Sequence, residues 1–417
     1  MPRKPLRFVD ELALHQPPTS ARISPDATFL DFLALTPSSR RRGAARRKRP
    51  YHPGKRLSVP SLTLFLTLAL VGSAAFSAGW LLHLPLPPSF VRSPWKPITS
   101  EADIERTYEV GSSPVTGLAF SPDGRLLVAT TYAGRVVLRD TVTGRELNTK
   151  YTPEPTGAAT GVTFSPRGHT YAVSTSTGAV LLLAVRGGRE VALLPPPAKR
   201  GSAVTSTAYS HDGRTLAVAN AQGTVQLWDV SRTQPTVLAT PGRQHSVSDV
   251  AFDRTNATLA VASVDGTVQL WDVKDPSRPE VLSTVQCGLP ATSIGYSPAG
   301  SVLAAGSSDG TTKFWNIEDP HKPRPYREAS SRSLPSGVGS ITGLVFTDRS
   351  RVAATTTGGY VQLRDIDKTP MLLRAPTRSQ AFTSLSYNAA RSTLAIGIAN
   401  GTVQVWAADT PTRRTDK

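Results

Sequence analysis

The sequence predicts an all-β chain of seven similar units, preceded by one transmembrane α-helix and a basic, largely disordered amino-terminal tail. Three observations carry this expectation. The octapeptide GTVQLWDV stands at residues 223–230 and again at 266–273. Two further markers, a glycine and an aromatic residue, recur in step with it through most of the chain. A run free of charged residues between Arg56 and Arg92 follows a strongly basic stretch.

The chain has 417 residues and a formal net charge of +17, with 39% hydrophobic residues, 35 prolines and 32 glycines. That composition suits a turn-rich globular chain with little long helix. The charge is uneven. Residues 1–56 hold 13 Lys and Arg against 4 Asp and Glu, and Arg40–Arg56 alone holds nine basic residues and no acid. No aromatic stacking pattern accompanies these charges, so nucleic-acid binding is not expected; the tail is read as lying on anionic lipid. The single cysteine, Cys287, rules out an internal disulfide.

A membrane crossing needs about 20 apolar residues, and Val59–Leu84 supplies them, with Pro60 near the start and Trp80 and His83 at the far end. The transmembrane helix is assigned to residues 57–84. Basic residues are retained on the cytoplasmic side, so the amino terminus is expected in the cytoplasm and everything after Leu84 outside it, as in a single-pass inner-membrane protein. A cleaved leader is the competing reading, because AAFSAG offers small residues for cleavage, although 56 residues ahead of the apolar core is long for a signal peptide. A Pro-rich linker, 85–102, leads to the repeats at 103–409, and residues 410–417 form a tail.

Within the repeats the marker glycines are Gly134, Gly178, Gly223, Gly266, Gly310, Gly359 and Gly401, and the marker aromatics are Phe120, Phe164, Tyr209, Phe252, Tyr296, Phe346 and Tyr387. Two markers in step define seven units. In each, apolar residues alternate up to the aromatic, as in Val247, Val250 and Phe252, which is the pattern of a strand with distinct faces. A turn follows, such as SPDG at 121–124 or SHDG at 210–213. A second strand rich in small residues comes next, LAVAN at 216–220 or LAAGS at 303–307; a third, after the marker glycine, closes at Trp228-Asp229, Trp271-Asp272, Trp315-Asn316 or Trp406-Ala407. Leu183, Arg139 and Arg364 stand at that position in the other units.

These units resemble WD40 repeats, which implies a seven-bladed β-propeller with four strands per blade. In that family the outer strand of a blade comes from the start of the following repeat. Arg189–Leu194, Pro235–Thr240, Pro279–Val285 and Pro370–Ala375 are expected to fill that place, while Asp103–Val110 completes the last blade and closes the ring, removing exposed edges. Both chain ends then leave from one face. The family's Gly-His pair ahead of each first strand is absent almost throughout, with His245 the nearest counterpart, which puts that histidine's hydrogen-bond network in doubt.

The opposite face, membrane-distal in this arrangement, is built from the marker hairpins and from the loops ahead of each first strand. Tyr132, Gln222, His245, Asp265, Asp309, Arg332, Ser336 and Asn400 are the candidate contacts there for a protein or peptide partner, Arg332 and Ser336 lying in the enlarged connection Glu328–Ser340. Catalytic residues, a cofactor and a metal are not expected. GSSDG at 306–310 matches a nucleophile-elbow pattern but sits between strands rather than before a helix. The four histidines of the repeats stand in four different units. Asn256 and Asn400 head glycosylation triplets in turns that favour Asn anyway. The expected function is a membrane-anchored, non-catalytic scaffold. An extracytoplasmic sensor or enzyme using the central channel, and a regulator whose tail is the effector, are the alternatives.

Overall fold

In a computed structural model, residues 104–152, 157–196, 202–242, 245–326, 339–366, 371–374 and 380–408 are described. The tail, the apolar segment and the linker lie outside them, and among the described residues no helix is long and apolar enough to cross a membrane.

The described chain forms seven four-stranded antiparallel sheets. Strands run from the innermost outward in chain order. Blade 1 comprises Val115–Phe120, Leu126–Thr131, Arg135–Asp140 and Glu146–Tyr151; blade 2 comprises Ala159–Phe164, Thr170–Thr175, Val180–Ala184 and Glu190–Leu194. Blade 3 has Val204–Tyr209, Thr215–Asn220, Val225–Asp229 and Thr236–Ala239; blade 4 has Val247–Phe252, Thr258–Ser263, Thr267–Asp272 and Glu280–Gln286. Blade 5 has Ala291–Tyr296, Val302–Ser307, Thr312–Asn316 and a two-residue outer strand, Arg324–Pro325; blade 6 has Ile341–Phe346, Arg351–Thr356, Tyr360–Asp365 and Met371–Arg374. Blade 7 takes Phe382–Asn388, Thr393–Ile398 and Thr402–Ala407 from the end of the chain and Ile104–Glu109 from before blade 1. The register of this closing strand pairs Ile104 with Trp406 and Glu109 with Thr402, so the described chain begins and ends on one face.

The core is divided among the seven interfaces between neighbouring blades. Each of the seven apolar clusters joins two blades: Val136, Leu138, Phe164 and Tyr171 join blades 1 and 2, and Val361, Phe382, Ile396 and Trp406 join blades 6 and 7. A single blade therefore buries neither face by itself. Burying one Leu or Val side chain is worth about 1.5–3 kcal/mol, and that stabilisation appears only when the neighbour is present.

Small residues in the second strands permit this close packing. A Cβ on Gly306 would come within 2.9 Å of Cβ of Ile341 in the next blade, and Ala217, Ala219, Ala260 and Ala262 are fully buried.

The inner strands depart from the simple alternation expected. All seven shift register after their first residue, as between Val115 and Gly117 or Val247 and Asp249. The skipped residue is Thr116, Thr160, Thr205, Ser248, Thr292, Thr342 or Thr383. Such a bulge inserts an unpaired residue, which is why Val115 and Leu118 are three residues apart and not two. The bulge hydroxyls bond locally: Thr116 shares a 3.0 Å hydrogen bond with Thr130, Thr160 donates to Ser174 Oγ at 3.0 Å, and Ser248 donates across the blade boundary to the Ala291 carbonyl at 2.6 Å.

Candidate interaction surface

The hairpins joining second to third strands carry the marker glycines, each with positive φ, from +75° at Gly359 to +94° at Gly178. Only glycine adopts such backbone without penalty. The residue two places ahead of Thr fixes several of these hairpins. Asp265 Oδ1 accepts from Thr267 N at 2.9 Å and Thr267 Oγ1 at 2.6 Å. Asp309 does the same with Thr311, and Asn400 with Thr402. In blade 3 Asn220 takes this role, accepting from Gln222 N and Thr224 N at 3.0 and 2.9 Å. Burial would raise the Asp309 carboxyl, but hydrogen bonds from Thr311 and Ser307 hold it below the ordinary carboxylate value, so it presents a charge at neutral pH.

Strand direction puts Tyr132, Gln222, Asp265, Asp309 and Asn400 on hairpins of one face, with His245 on the connection entering blade 4. Arg332 and Ser336 lie outside the described residues. His245 and Asp265 meet in an open cleft of about 650 Å³ between blades 3 and 4, lined also by Pro241, Gln269, Trp271 and Val281. Asn400 lines a second cleft, of about 510 Å³, with Gln380, Thr402, Gln404 and Ile104. Tyr132, Gln222 and Asp309 stand elsewhere on this face, spread over its rim. His245 is exposed. The Trp271 indole N–H is satisfied without it, donating to Gln269 Oε1 at 3.0 Å, as Trp406 does to Gln404 at 3.2 Å. Glutamine two residues earlier in the same strand thus serves the tryptophan in blades 4 and 7, but not in blade 3, where the buried Trp228 indole N–H finds no acceptor among the described residues although Gln226 stands at the same place.

Two residues of this face escape reading by residue type. Val264 and Leu289 are each 46% exposed, and the hairpin that carries Val264 adjoins Leu289, since a Cβ on Gly266 would lie 3.0 Å from the Leu289 carbonyl oxygen. An apolar residue beside the turn Asp-Gly in blade 4, where blades 3, 5 and 7 carry Ala, Ser and Ala, was the available signal. Cys287, beneath them, is buried; its N–H donates to the Gly266 carbonyl at 2.7 Å, and burial pushes its thiol up to about 11. It is a packing residue and not a nucleophile.

The described loops of the two faces differ in charge. Among the described residues, the loops of the marker face contain two charged side chains, Asp265 and Asp309. The loops of the opposite face, joining first to second and third to fourth strands, contain thirteen Lys and Arg and seven Asp and Glu. Many of these pair locally or with the Asp that closes a third strand: Arg232 with Asp229 at 3.8 Å, Lys274 with Asp272 at 3.6 Å, Arg214 with Asp212 at 3.9 Å.

The seven inner strands contain one charged residue, Asp249. Its Oδ1 accepts from Ser206 Oγ of blade 3 at 2.7 Å and from its neighbour Val250 N at 2.9 Å; Oδ2 accepts from Ile294 N and Ser293 Oγ of blade 5 at 2.8 and 3.3 Å. The residue keeps some accessible area, yet its carboxyl group is deep enough that burial raises its pKa against the pull of those four donors. Both oxygens are engaged in joining three blades. Among the described residues no group of three His, Cys, Asp or Glu is placed to hold a metal. Ser308 lies in a strand-to-strand hairpin. Asn256, at φ +61°, accepts from His211 N in the preceding blade.

Seven sheets closed by a strand from the other end of the repeats, with rigid hairpins on one face, define a β-propeller of the kind that presents loops to partners. Residues 103–140, 196–229, 236–272 and 282–316 match the family model described as WD domain, G-beta repeat; the chain carries WD40 repeats in these four places within a seven-bladed β-propeller. The matches 103–140, 236–272 and 282–316 take in all or most of the outer strand of the preceding blade, so the repeat is offset from the blade. No curated protein matches the sequence.

Proposed function

We propose that this protein is a membrane-anchored, non-catalytic scaffold that binds a protein or peptide through its marker face. The observation that carries the reading is the charge asymmetry of the loops. Interface cores are depleted in charged residues relative to the rest of a protein surface, and the seven marker hairpins bear two charges where the seven hairpins joining first to second strands on the opposite face bear ten. Exposed Tyr132, Val264 and Leu289 on the same face supply apolar contact, and WD40 propellers are commonly interaction scaffolds. The rigid hairpins give a partner a preformed surface, which lowers the ordering cost of association.

The anchor is read from Val59–Leu84, with residues 1–56 in the cytoplasm and the propeller on the other side of the inner membrane. The described chain begins and ends on the charged face. Alkaline phosphatase fused after residue 417 is expected to be active and, fused after residue 56, inactive; the reverse pattern overturns the topology.

The binding reading is tested by cross-linking in cells that express the full chain with Tyr132→Ser, Val264→Ser and Leu289→Ser, against a chain with Arg232→Ser, Lys274→Ser and Arg278→Ser on the opposite face. Partner adducts are expected to vanish with the first set and to persist with the second. Equal adduct yields from both chains exclude the marker face.

A further inference from the structure

The join between blade 7 and blade 1 is held by partly exposed arginines, whereas Arg364, at the same strand position beside the join of blades 5 and 6, is buried over the Phe314 ring. In blades 3, 4, 5 and 7 the third strand closes on a buried tryptophan, Trp228, Trp271, Trp315 or Trp406. Blade 1 has Arg139 there. Its guanidinium lies 4.9 Å from the centre of the Tyr108 ring. Nη2 donates to the carbonyl of Glu109 at 3.3 Å, and Nη1 donates to that of Gly144 at 3.0 Å. Arg135, at the start of the same strand, donates through Nη1 to the carbonyl of Val110. Tyr108, Glu109 and Val110 are the end of the closing strand and the residue after it.

Glu146, on the outer strand of blade 1, holds both arginines: Oε2 is 3.1 Å from Arg139 Nη2, and Oε1 is 3.5 Å from Arg135 Nη2 and accepts from Thr149 Oγ1. The closing strand itself buries little, with the pattern half-buried at Ile104 and Tyr108 and exposed at the four residues around them. Its apolar anchorage comes from Ile104, packed on the cluster between blades 6 and 7, and from Val110 and Tyr108 on the cluster between blades 7 and 1. Its pairing with the third strand is irregular between Ile104 and Arg106.

We propose that Arg135, Glu146 and Arg139 form an ionic clasp that locks the closing strand, and that its release lets Ile104–Glu109 leave the ring before any other strand. Charge-assisted hydrogen bonds are stronger than neutral ones, but Arg135 and Glu146 keep 28% and 35% of their side-chain area exposed, so salt screens them. The Debye length falls from about 10 Å at 0.1 M to about 3 Å at 1 M. A tryptophan in place of Arg139 would make the join apolar and insensitive to salt. Ring closure in this chain is therefore adjustable by ionic strength at one seam. Release uncovers the outer edge of Thr402–Ala407, a row of backbone groups open to strand addition.

Hydrogen exchange of the full-length protein, read by mass spectrometry on peptides spanning 104–110, is the test. In the unmodified chain, raising sodium chloride from about 0.1 to 1 M is expected to speed exchange in this peptide about tenfold while peptides of Thr258–Ser263 are unchanged, since local opening and global unfolding are separable in exchange. Glu146→Gln is expected to give the fast rate at low salt and to abolish the salt response. Arg139→Trp is expected to restore slow exchange at all salt concentrations. Salt-independent exchange of residues 104–110 in the unmodified chain overturns the proposal. So does acceleration shared equally by Thr258–Ser263, which would mark the effect as global.

Discussion

Asn388 donates through Nδ2 to the carbonyl of Gly124 at 2.8 Å, joining two turns that are 264 residues apart in sequence. The bond lies at the same seam as the closing strand, together with the Phe120 N–H, which donates to Ser386 Oγ at 3.2 Å. The last and first blades thus meet through inner-strand contacts as well as through the strand that the amino-terminal side lends to blade 7. Asn388→Ala is expected to cost about 1 kcal/mol, the net worth of one such bond. Gly124→Ala is expected to cost more, because φ is +68° and its Cβ would collide with the Asn388 amide. The double variant should cost less than the sum, since truncating Asn388 makes room for the new methyl group. Urea unfolding of all four proteins measures the coupling.

Trp406 is completely buried, meets Phe382 edge-on with ring centres 6.2 Å apart, and donates its indole N–H to Gln404. Trp406→Ala is expected to lower stability by about 3–5 kcal/mol. Ile104, its partner in register on the closing strand, should then become the first site of proteolysis. Limited digestion followed by amino-terminal sequencing of the fragments checks both the loss and its location.

Gly117 illustrates how closely the inner strands approach. A Cβ there would stand 2.7 Å from Val162 N and 2.8 Å from Gly161 Cα, and backbone cannot move aside as a flexible side chain can. Gly117→Ala is expected to cost about 1–3 kcal/mol through overpacking. Gly187→Ala, in a turn with nothing within 4 Å but with φ +73°, should lose only the conformational penalty, about 1 kcal/mol. Thermal unfolding of the two variants separates crowding from backbone strain.

Asp249 sets a pH dependence. Burial holds its folded carboxyl above the ordinary value of 3.8, so the folded state binds this proton more tightly than the unfolded chain does. Its contribution to stability therefore declines as pH rises from 3.8 through the folded value, and the full cost is present above it. Replacing Asp249 with Asn removes the titration. The stability of the unmodified protein minus that of the variant, from urea midpoints between about pH 3.5 and 7, is expected to fall with rising pH; a flat or rising difference contradicts the burial argument.

The marker-face variants Val264→Ser and Leu289→Ser are expected to leave stability within about 0.5 kcal/mol, since exposed positions away from special backbone seldom matter more. Any loss of partner binding would then belong to the surface and not to the fold. Calorimetric unfolding of the purified variants is the control for the cross-linking comparison.

Much of the fold was legible because it is written locally. Aromatic and glycine markers kept in step fix the number of units, and the apolar runs between them mark where the strands lie. The surplus segment Asp103–Val110 foretold the closure, which the pairing of Ile104 with Trp406 bears out. The inner-strand bulge was present as a three-residue spacing and as Ser or Thr at all seven skipped positions, but spacing alone does not distinguish a bulge from imperfect alternation. The outer strand of blade 5, two residues long, had no periodic signal to offer. For the surface, chain direction placed Tyr132, Gln222, His245, Asp265, Asp309 and Asn400 on one face. Their grouping into clefts, and the exposure of Val264 and Leu289, depend on how neighbouring blades abut.

The sequence by itself determined seven units, their strand pattern and the origin of the closing strand, because turn chemistry and side-chain alternation act between residues a few positions apart. Only the tertiary structure decided the rest. The four donors around Asp249 come from three blades, the clasp of Arg135, Glu146 and Arg139 grips a strand from before the first blade, and the charge contrast between the hairpins of the two faces appears once the ring gathers seven of each. Such contacts join residues about one repeat apart or at opposite ends of the repeats, and no local preference along the chain specifies them.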